Sequence, residues 1–501
     1  MAPKTDPESG AIIPEVGQWP VPPQEDQEIK EDRLWIDGCF DFFHHGHTGV
    51  MLQSRRLGSE LLVGLHSDEE IAANKGPTVM NLDERIAAVE ACRFSTKCVP
   101  HAPYVTSIPW ISHYGCKYVT HGDDITSDAS GEDCYRFVKK AGRMKIVPRT
   151  QGISTTDLVG RMLLCTKSHF IRNLDDVLDG KEGRGSDEER KVRGREMRQR
   201  IVEYAAAPNG RVRYVQVFNF IPKHRPLERR MSTLKPGEDV STILHHDHGK
   251  GAFTPMVSGH APRPGQRVVY VDGGFDLFSS GHIAFLQTVI DLERAHGEER
   301  GWFEPDAASQ REHASGEDYG PAYVVAGIHT DEVINYHKGI NYPIMNLLER
   351  GLCVVQCRYI HAVIFSAPHK PTKSYLHSLP SGTPNVVYHG PTSATPSPLS
   401  SPVESSSSSA ATAAREATDP YTDARSLDLF VETPEHKFQD VNAEQIVRRI
   451  LDKRVEYEER QRKKGEKGVG EEAAQRREQM EREAERERER RARSVERKFG
   501  A

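Results

Sequence analysis

The sequence predicts an α/β protein made of two similar domains, each with a parallel sheet flanked by helices. An apolar run at residues 34–36 is followed by a glycine turn and by apolar residues at helical spacing, the pattern of a strand, a turn and a helix. Short apolar runs then alternate with helical patterns as far as residue 165, and the same series of motifs returns after residue 267. We therefore expect two tandem Rossmann-like domains.

Composition limits the kind of protein. A length of 501 residues predicts about three domains. Lysine and arginine total 67 against 73 acidic residues, and this net charge of −6 gives no argument for nucleic acid or an anionic membrane surface as a partner. The 8 cysteines contain no C-x-x-C pair, which favours reduced, buried thiols. No apolar run reaches the length of a membrane span, so we expect a cytoplasmic protein without a transmembrane segment.

Changes in composition divide the chain into five parts. The N-terminal part is rich in proline and charge, lacks the basic and apolar regions of a signal peptide, and is expected to be disordered. The last part is dense in glutamate and arginine and is expected to be a solvated helix or a disordered tail. The predicted parts are 1–31, a first domain at 32–165, a linker at 166–265, a second domain at 266–460 and a tail at 461–501.

The linker is expected to carry only a little ordered structure. It contains a charged run at 181–200 and one apolar strand pattern at 212–218, which could add a strand or brace the domains. The second domain is interrupted at about 391–420 by a segment rich in serine, proline and alanine, which predicts a disordered insertion.

Strands and helices alternate through the first domain. After a strand at 61–66, Ser67 is expected to cap the next helix, and another helix is predicted from 81 to about 94. Residues 149–157 combine a glycine turn with a serine or threonine cap before a helix at 158–164. Ligands in open parallel sheets bind at the carboxyl ends of the strands, so the loops that follow the strands should line one site. Further strands are predicted at 98–100, 116–121 and 144–147.

The most informative stretch is the turn that carries His44, Gly46 and His47 to the start of the first helix. Free backbone N–H groups and the helix dipole attract an anion there, and the glycine lets a phosphate approach closely. Two histidines three residues apart could donate hydrogen bonds to phosphate oxygens. A zinc site is the alternative for such a pair, but no further ligand stands at matching spacing. The turn predicts nucleotide chemistry.

The second copy keeps the fold signals and loses much of the anion-binding set. Residues 268–282 align with the opening stretch without a gap, but Ser279 replaces the first histidine while His282 keeps the second. Proline and threonine replace the acidic pair at 123–124, and the segment at 149–156 has only an echo at 438–443. Lys338 repeats Lys75, which argues that this lysine lines a site. We expect a second domain without turnover that braces the first or binds nucleotide weakly.

These motifs together resemble the cytidylyltransferase family, within the H-x-G-H nucleotidyltransferase superfamily. The resemblance is dense over 33–165 and looser over 267–460, and its most specific element is R-T-x-G-I-S-T-T, beginning at Arg149. The doubled architecture is similar to that of members that act on phosphoethanolamine. The resemblance therefore implies two nucleotidyltransferase domains, CTP and phosphoethanolamine as substrates, CDP-ethanolamine and pyrophosphate as products, and a place in phosphatidylethanolamine synthesis.

The resemblance also implies a role for each matching residue. His44 and His47 would hold the triphosphate and stabilise charge at the α-phosphorus. Lys75 would bind the substrate phosphate as a mobile charge, and Arg149 would grip the β and γ phosphates. Related enzymes use aspartates near the nucleotide to contact cytidine or to help hold Mg²⁺, the expected cofactor, and no metal site of protein ligands alone is expected. The implied CTP-binding residues are Gly38, Cys39, Phe40, Asp41, Gly46, Arg85, Gly122, Asp124, Ser154, Thr155 and Thr156.

Several of these residues have an ordinary structural alternative. Asp41 could only form the turn, and Asp68 is expected to cap a helix more than to touch ligand. Arg85 could brace the site or form a surface ion pair. Ser154 and its neighbours could be a simple helix cap, and their company with Arg149 favours the binding role.

Other functions stay open at this point. A phosphocholine cytidylyltransferase would be single-copy with a long amphipathic helix, which this chain lacks, although Tyr104 and Tyr135 could line a pocket for either amine. A regulatory, non-catalytic paralogue and an ATP-dependent adenylyltransferase are the remaining alternatives. A homodimer and a peripheral position at the endoplasmic reticulum are further expectations.

Overall fold

The computed structural model describes residues 4–124, 126–223, 250–391 and 419–457, together with residues 459 and 462. The predicted insertion at about 391–420 and the tail at 461–501 lie almost wholly outside these residues. The strands are β1 (Lys30–Gly38), β2 (Glu60–Leu65), β3 (Lys97–Pro100), β4 (Cys116–Gly122), β5 (Met144–Val147), β6 (Gln216–Pro222), β7 (Gly251–Val257), β8 (Arg267–Gly273), β9 (Ala322–His329), β10 (Ala362–Ala367), β11 (Val386–His389) and β12 (Phe430–Glu432).

Helices cover both sheets, and no helix of the described part is long and apolar enough to cross a membrane. The helices of the first half are α1 (His45–Arg56), α2 (Asp68–Lys75), α3 (Leu82–Ala91), α4 (Ile108–His113), α5 (Arg136–Lys140), α6 (Thr155–Leu164), α7 (Leu174–Leu178) and α8 (Asp187–Tyr204). Those of the second half are α9 (Ser280–Glu299), α10 (Pro305–Ser315), α11 (Asp331–Lys338), α12 (Leu347–Val355), α13 (Lys373–His377), α14 (Thr422–Ser426) and α15 (Ala443–Asp452).

The first sheet has five parallel strands in the order β3-β2-β1-β4-β5. Its central strand β1 is buried on both faces, and Leu34, Trp35 and Ile36 are at most 2% exposed. Ser67 caps α2, and Asn81 forms a reciprocal capping box with Glu84 at the start of α3. The predicted α/β fold is confirmed, and the loops expected at the carboxyl ends of the strands do meet at one edge.

The second sheet has seven strands in the order β12-β11-β8-β9-β10-β6-β7. Strands β6 and β7 come from the segment predicted to be a linker, and they extend this sheet beyond β10, β6 parallel to it and β7 antiparallel to β6. The charged run forms the helix α8, which begins at a capping box between Ser186 and Glu189. The predicted linker is therefore more ordered than expected, and the strand that it could add is present as β6. Its pairing partner, β10, lies far away in the sequence, so the local pattern could not reveal the pairing.

The prediction of a disordered N-terminus was wrong for residues 4–31. Trp19 is 7% exposed and stacks on His113 with ring centroids 3.5 Å apart. The Ser107 hydroxyl donates to the Asp6 carboxylate at 2.8 Å, and the Trp110 indole donates to the carbonyl of Ile12 at 2.8 Å. A proline-rich segment can stay extended and still be ordered when the folded domain buries its few apolar residues.

The two copies pack against each other with an approximate two-fold arrangement. Cys92 and Cys357, which are equivalent in the repeat, pair in an isolated antiparallel bridge. Beside them the Arg93 guanidinium donates to three carbonyls of the second copy, those of residues 355, 357 and 360. The equivalent Arg358 donates to the carbonyls of Cys92 and Ser95 in the first copy. The halves therefore form one continuous core, in which each copy completes the other.

Candidate active site

The histidine turn is held by a strained backbone and a histidine cap. Phe40 and Phe42 have positive φ angles of 51° and 53°, which fold the chain back between β1 and α1. His44 is the N-cap of α1, and its Nδ1 accepts a hydrogen bond from the backbone N–H of Gly46 at 3.1 Å. A Cβ at Gly46 would lie 2.8 Å from the His44 ring, so this position requires glycine. Because Nδ1 accepts, the proton of the neutral His44 ring lies on Nε2.

The two predicted catalytic histidines lie together. The rings of His44 and His47 stack with centroids 4.0 Å apart, and Phe40 and Phe43 pack on His47. Both histidines occupy the first turn of α1 or its cap, where the helix dipole favours negative charge.

The structure brings the segment from Arg149 onward to this turn. Ser154 caps α6 by accepting from the N–H of Asp157 at 3.0 Å. The Thr155 hydroxyl donates to the Asp41 carbonyl at 3.3 Å, which joins the start of α6 to the histidine turn. Thr156 follows in the same first turn. Two helix N-termini therefore point to one place, which suits a ligand with several phosphate groups.

The end of β4 completes this side of the site. Gly122 is the last residue of β4, and a Cβ there would lie 2.6 Å from the Asp124 carboxylate. Arg149 is 43% exposed, its guanidinium lies 3.4 Å from Asp124, and its backbone N–H donates to Asp123 at 3.0 Å. The predicted pairing of the acidic turn with the Arg149 loop is therefore present in the fold.

Asp41, which was predicted to bind CTP, makes a structural contact with the backbone of another loop. Its carboxylate is 2% exposed and accepts from the backbone N–H groups of Val79 and Met80 at 3.1 and 3.0 Å. Asp276, its equivalent in the second copy, accepts in the same way from Ile344 and Met345. In both copies the carboxylate therefore holds the loop before the following helix, which is α3 in the first copy.

Arg85 is likewise a brace and not a group that faces the nucleotide. Its side chain has no exposed surface, which also excludes the surface ion pair. The guanidinium donates to the carbonyls of Met80, Cys39 and His66 at 3.2, 2.8 and 2.9 Å. It also donates to the Asp68 carboxylate at 2.7 Å. The guanidinium thus donates to four acceptors on four segments of the chain. Cys39, predicted to bind CTP, takes part in this brace through its carbonyl.

The equivalent Arg350 repeats the whole arrangement in the second copy. It donates to Met345, Gly274, His329 and Asp331 at 2.5–3.0 Å. Asp68 in the first copy also accepts from the N–H of Leu82, so its role is to join α2 to α3.

A buried carboxylate at the end of β1 was missed by the sequence reasoning. Asp37 is 4% exposed and accepts from the Tyr135 hydroxyl, the Thr106 hydroxyl and the Trp35 indole, each at 2.8 Å. Burial and the adjacent Asp37 raise the pKa of Tyr135 well above its usual value, which keeps the hydroxyl as a donor. The recurrence of this aspartate as Asp272 was the sequence signal that could have found it.

Lys75 stands at the other side of this carboxylate. It is the last residue of α2 and is exposed, with its ammonium 5.8 Å from the centre of the Tyr104 ring. The His66 ring packs near Tyr104 with centroids 5.0 Å apart, and its Nδ1 bonds the Ala102 carbonyl. Burial lowers the pKa of His66, so it stays neutral. Asp37 and Lys75 both affect the pKa of His66, so the carboxylate, the aromatic rings and the lysine lie near one another.

The second copy bonds the equivalent turn differently. The Ser279 hydroxyl donates to the Val441 carbonyl at 2.6 Å, and a Cβ on Gly281 would lie 2.3 Å from the same oxygen. His282 accepts from the Ser279 N–H at 3.1 Å, and burial lowers its pKa to about 3. His282 thus bonds the start of its own helix, and the Val441 carbonyl, next to the Asn442 cap of α15, lies against Ser279.

No cluster of three or more histidine, cysteine, aspartate or glutamate side chains in the described part of the chain could hold a metal ion. Mg²⁺ is bound in many enzymes by one or two carboxylates together with substrate phosphates and water. The half-exposed Asp124 at the carboxyl end of β4 fits that mode.

Known proteins show similarity over most of the chain. A family model described as cytidylyltransferase-like matches residues 35–161. The ethanolamine-phosphate cytidylyltransferase of Mus musculus is 35% identical over 437 residues, covering 86% of this chain and 89% of that protein. The enzyme of the same name from Dictyostelium discoideum is 33% identical, covering 88% and 96%. Choline-phosphate cytidylyltransferase A of Rattus norvegicus is 36% identical over only 152 residues, 30% of this chain and 41% of that protein.

Proposed function

We infer that this chain, which belongs to the ethanolamine-phosphate cytidylyltransferase family, transfers CMP from CTP to phosphoethanolamine, giving CDP-ethanolamine and pyrophosphate. The observation that carries the substrate is the extent of similarity. Relatives named for ethanolamine phosphate match across both copies, whereas the relative named for choline phosphate matches less than a third of the chain. The reaction is one step of phospholipid biosynthesis.

In the reaction a phosphate oxygen of phosphoethanolamine attacks the α-phosphorus of CTP, and pyrophosphate leaves on the opposite side. Catalysis of this kind is mostly positioning and neutralisation of charge. We propose that His44 and His47 donate to the oxygens of the α-phosphate and the leaving group, and that the start of α6 with Arg149 holds the β and γ phosphates. The two helix N-termini that meet there support this assignment.

We propose that Mg²⁺ enters with CTP, with Asp124 as the carboxylate that helps to hold it. The ion would neutralise phosphate charge when bound. The backbone would approach the nucleotide at glycines 38, 46 and 122, where an added Cβ would meet neighbouring atoms. The positive φ of Phe40 supports a close approach at the turn as well.

We propose that Asp37, Tyr104, Tyr135 and Lys75 line one pocket, the Asp37 pocket, which favours phosphoethanolamine over phosphocholine. A primary ammonium needs hydrogen-bond acceptors, whereas a quaternary one needs mainly aromatic faces. Asp37 offers a buried carboxylate that accepts from the Tyr135 hydroxyl, and Tyr104 is also buried. Lys75 at the mouth would then bind the phosphate of the same substrate. The two ends of the pocket carry opposite charges, as the two ends of phosphoethanolamine do.

The test is pyrophosphate release from the full chain with CTP and Mg²⁺, with phosphoethanolamine and phosphocholine offered separately. We expect turnover with phosphoethanolamine, its loss in His47→Ala, and its retention in His282→Ala, the matched change in the second copy. Turnover only with phosphocholine would overturn the substrate. Binding of CTP without turnover would favour a regulatory protein, and turnover with ATP would favour an adenylyltransferase.

We also propose that the chain forms a homodimer and that it is a cytoplasmic protein held peripherally at the endoplasmic reticulum. Sedimentation of the purified chain and fractionation of cells are the measurements that decide them.

A further inference from the structure

Helix α6 is held at its two ends by different copies. At its N-terminal end, Thr155 contacts the histidine turn, and a Cβ on Gly49 of α1 would lie 2.0 Å from the Thr150 hydroxyl. At its other end, the Asn341 amide of the second copy donates to the Arg161 carbonyl at 2.9 Å. The His169 ring just beyond α6 bonds the Pro343 carbonyl at 2.9 Å. The helix therefore bridges the first site and the second domain.

The strongest of these contacts is a bidentate pair between Arg161 and Glu349. The guanidinium donates to the two carboxylate oxygens at 2.7 and 2.9 Å and to the Ile344 carbonyl at 3.0 Å. Both side chains are nearly buried, at 11% and 9% exposed. Glu349 is itself fixed in the capping box of α12. Two parallel hydrogen bonds of this kind fix the relative orientation of the two side chains and are stronger than a single bond.

The same guanidinium also reaches towards the phosphate end of the helix. Its Nη2 donates to the Asp157 carboxylate at 2.7 Å, and the backbone N–H of Asp157 is the group that Ser154 caps. Asp157 is thus an acidic residue in the first turn of the helix where, by the proposed function, the triphosphate binds. Left unpaired, its charge would repel the nucleotide. Arg161 neutralises it and holds it away from the start of the helix.

The repeat provides an internal comparison. Arg449 on α15 is equivalent to Arg161, and it forms a bidentate pair with Glu84 of the first copy at 2.8 Å for both bonds. The position of Asp157 is occupied there by Gln445. The second copy therefore keeps the arginine bridge between the halves, but it lacks an equivalent of Asp157 on the same helix.

We propose that Arg161 is a positioning residue for CTP: held by Glu349 of the second domain, it neutralises Asp157 and orients the start of α6 towards the triphosphate. The second domain then contributes to nucleotide affinity without touching the nucleotide. This inference rests on the proposed function for the identity of the ligand.

The experiment compares Arg161→Gln with the matched Arg449→Gln in the full chain, measuring KM for each substrate, kcat, and the dissociation constant of CTP by calorimetry. We expect Arg161→Gln to weaken CTP about tenfold or more, from the uncompensated charge and loosened helix, with KM for phosphoethanolamine little changed. Arg449→Gln should leave CTP affinity within about twofold, because Arg449 pairs with no acidic residue at the start of its own helix.

Two further variants separate positioning from simple stability. Glu349→Gln lies wholly in the second domain and should weaken CTP in the same direction as Arg161→Gln. Adding Asp157→Asn to Arg161→Gln should recover a large part of the lost affinity, because the repelling charge is gone. Equal effects of Arg161→Gln and Arg449→Gln, or no recovery in the double variant, would overturn the proposal.

The calorimetric arm keeps the two proposals apart. A chain that binds CTP without turnover refutes the proposed reaction alone, and the effect of Arg161→Gln on affinity still decides its role. A chain that binds no CTP refutes both.

Discussion

The brace formed by Arg85 leads to a prediction that separates folding from ligand binding. In Arg85→Lys the charge is kept, but an ammonium on a shorter reach cannot serve four acceptors placed at 2.7–3.2 Å around a planar guanidinium. We expect about two of the four to be left without a donor. At about 1–3 kcal/mol for each buried unsatisfied group, the variant should lose about 2–6 kcal/mol of stability.

The assay is urea unfolding followed by tryptophan fluorescence, with KM for CTP measured on the folded fraction. Arg350→Lys is the matched control, since that arginine makes the same four contacts in the second copy. Both variants should lower the urea midpoint by similar amounts. The reasoning is refuted if Arg85→Lys unfolds like the unchanged chain but raises KM for CTP strongly, because Arg85 would then contact the nucleotide.

Three other predictions follow from the described contacts. Asp37→Asn should raise KM for phosphoethanolamine about tenfold or more and KM for CTP much less, since charge-assisted hydrogen bonds contribute about 1.5–3 kcal/mol; equal effects in steady-state kinetics would contradict the pocket. Trp19→Ala should lower the stability of the first domain by about 3 kcal/mol in urea unfolding, because the indole is buried. Burial lowers the pKa of several histidines to about 3 or 4, so the unfolded chain binds more protons below its histidine pKa of about 6.5, and stability should fall as the pH drops from there towards 4. At pH 5 each of these histidines lowers the stability by about 2 kcal/mol at most. This loss is only partly offset by Asp272 and Asp331, whose pKa values burial raises to about 7 and about 6. The histidines are His45 and His282, each with a pKa of about 3, and His329 and His361, each with a pKa of about 4. A urea midpoint that is unchanged between pH 7 and pH 5 would contradict this prediction.

Local pattern was sufficient for much of the first domain. The predicted strand at 144–147 coincides with β5, and the predicted strand at 116–121 differs from β4 by one residue. A serine cap precedes the next helix as predicted, but the helix begins at Thr155, three residues earlier than expected. These features depend on apolar runs and on side chains that bond their own backbone, both of which are readable over a few residues.

Roles that depend on what a side chain meets elsewhere were not predictable in this way. Asp41 and Arg85 stand in the motif at positions that suit a ligand, yet their partners are backbone groups of the loop at 79–80 and of β2's end. The order of the N-terminus depends on Trp19 finding a groove formed by α4. Such contacts join residues tens of positions apart, and no local periodicity encodes them.

The sequence by itself determined the α/β fold, the duplication, and the loss of the first histidine from the second copy, because each is a matter of residue type and order. Only the tertiary structure decided that the copies share one core, that β6 and β7 belong to the second sheet, and that Arg161 joins the phosphate helix to Glu349. The physical reason is that burial and pairing arise between surfaces. A side chain becomes a brace, a bridge or a ligand group according to which donors and acceptors the rest of the chain brings within about 3 Å of it.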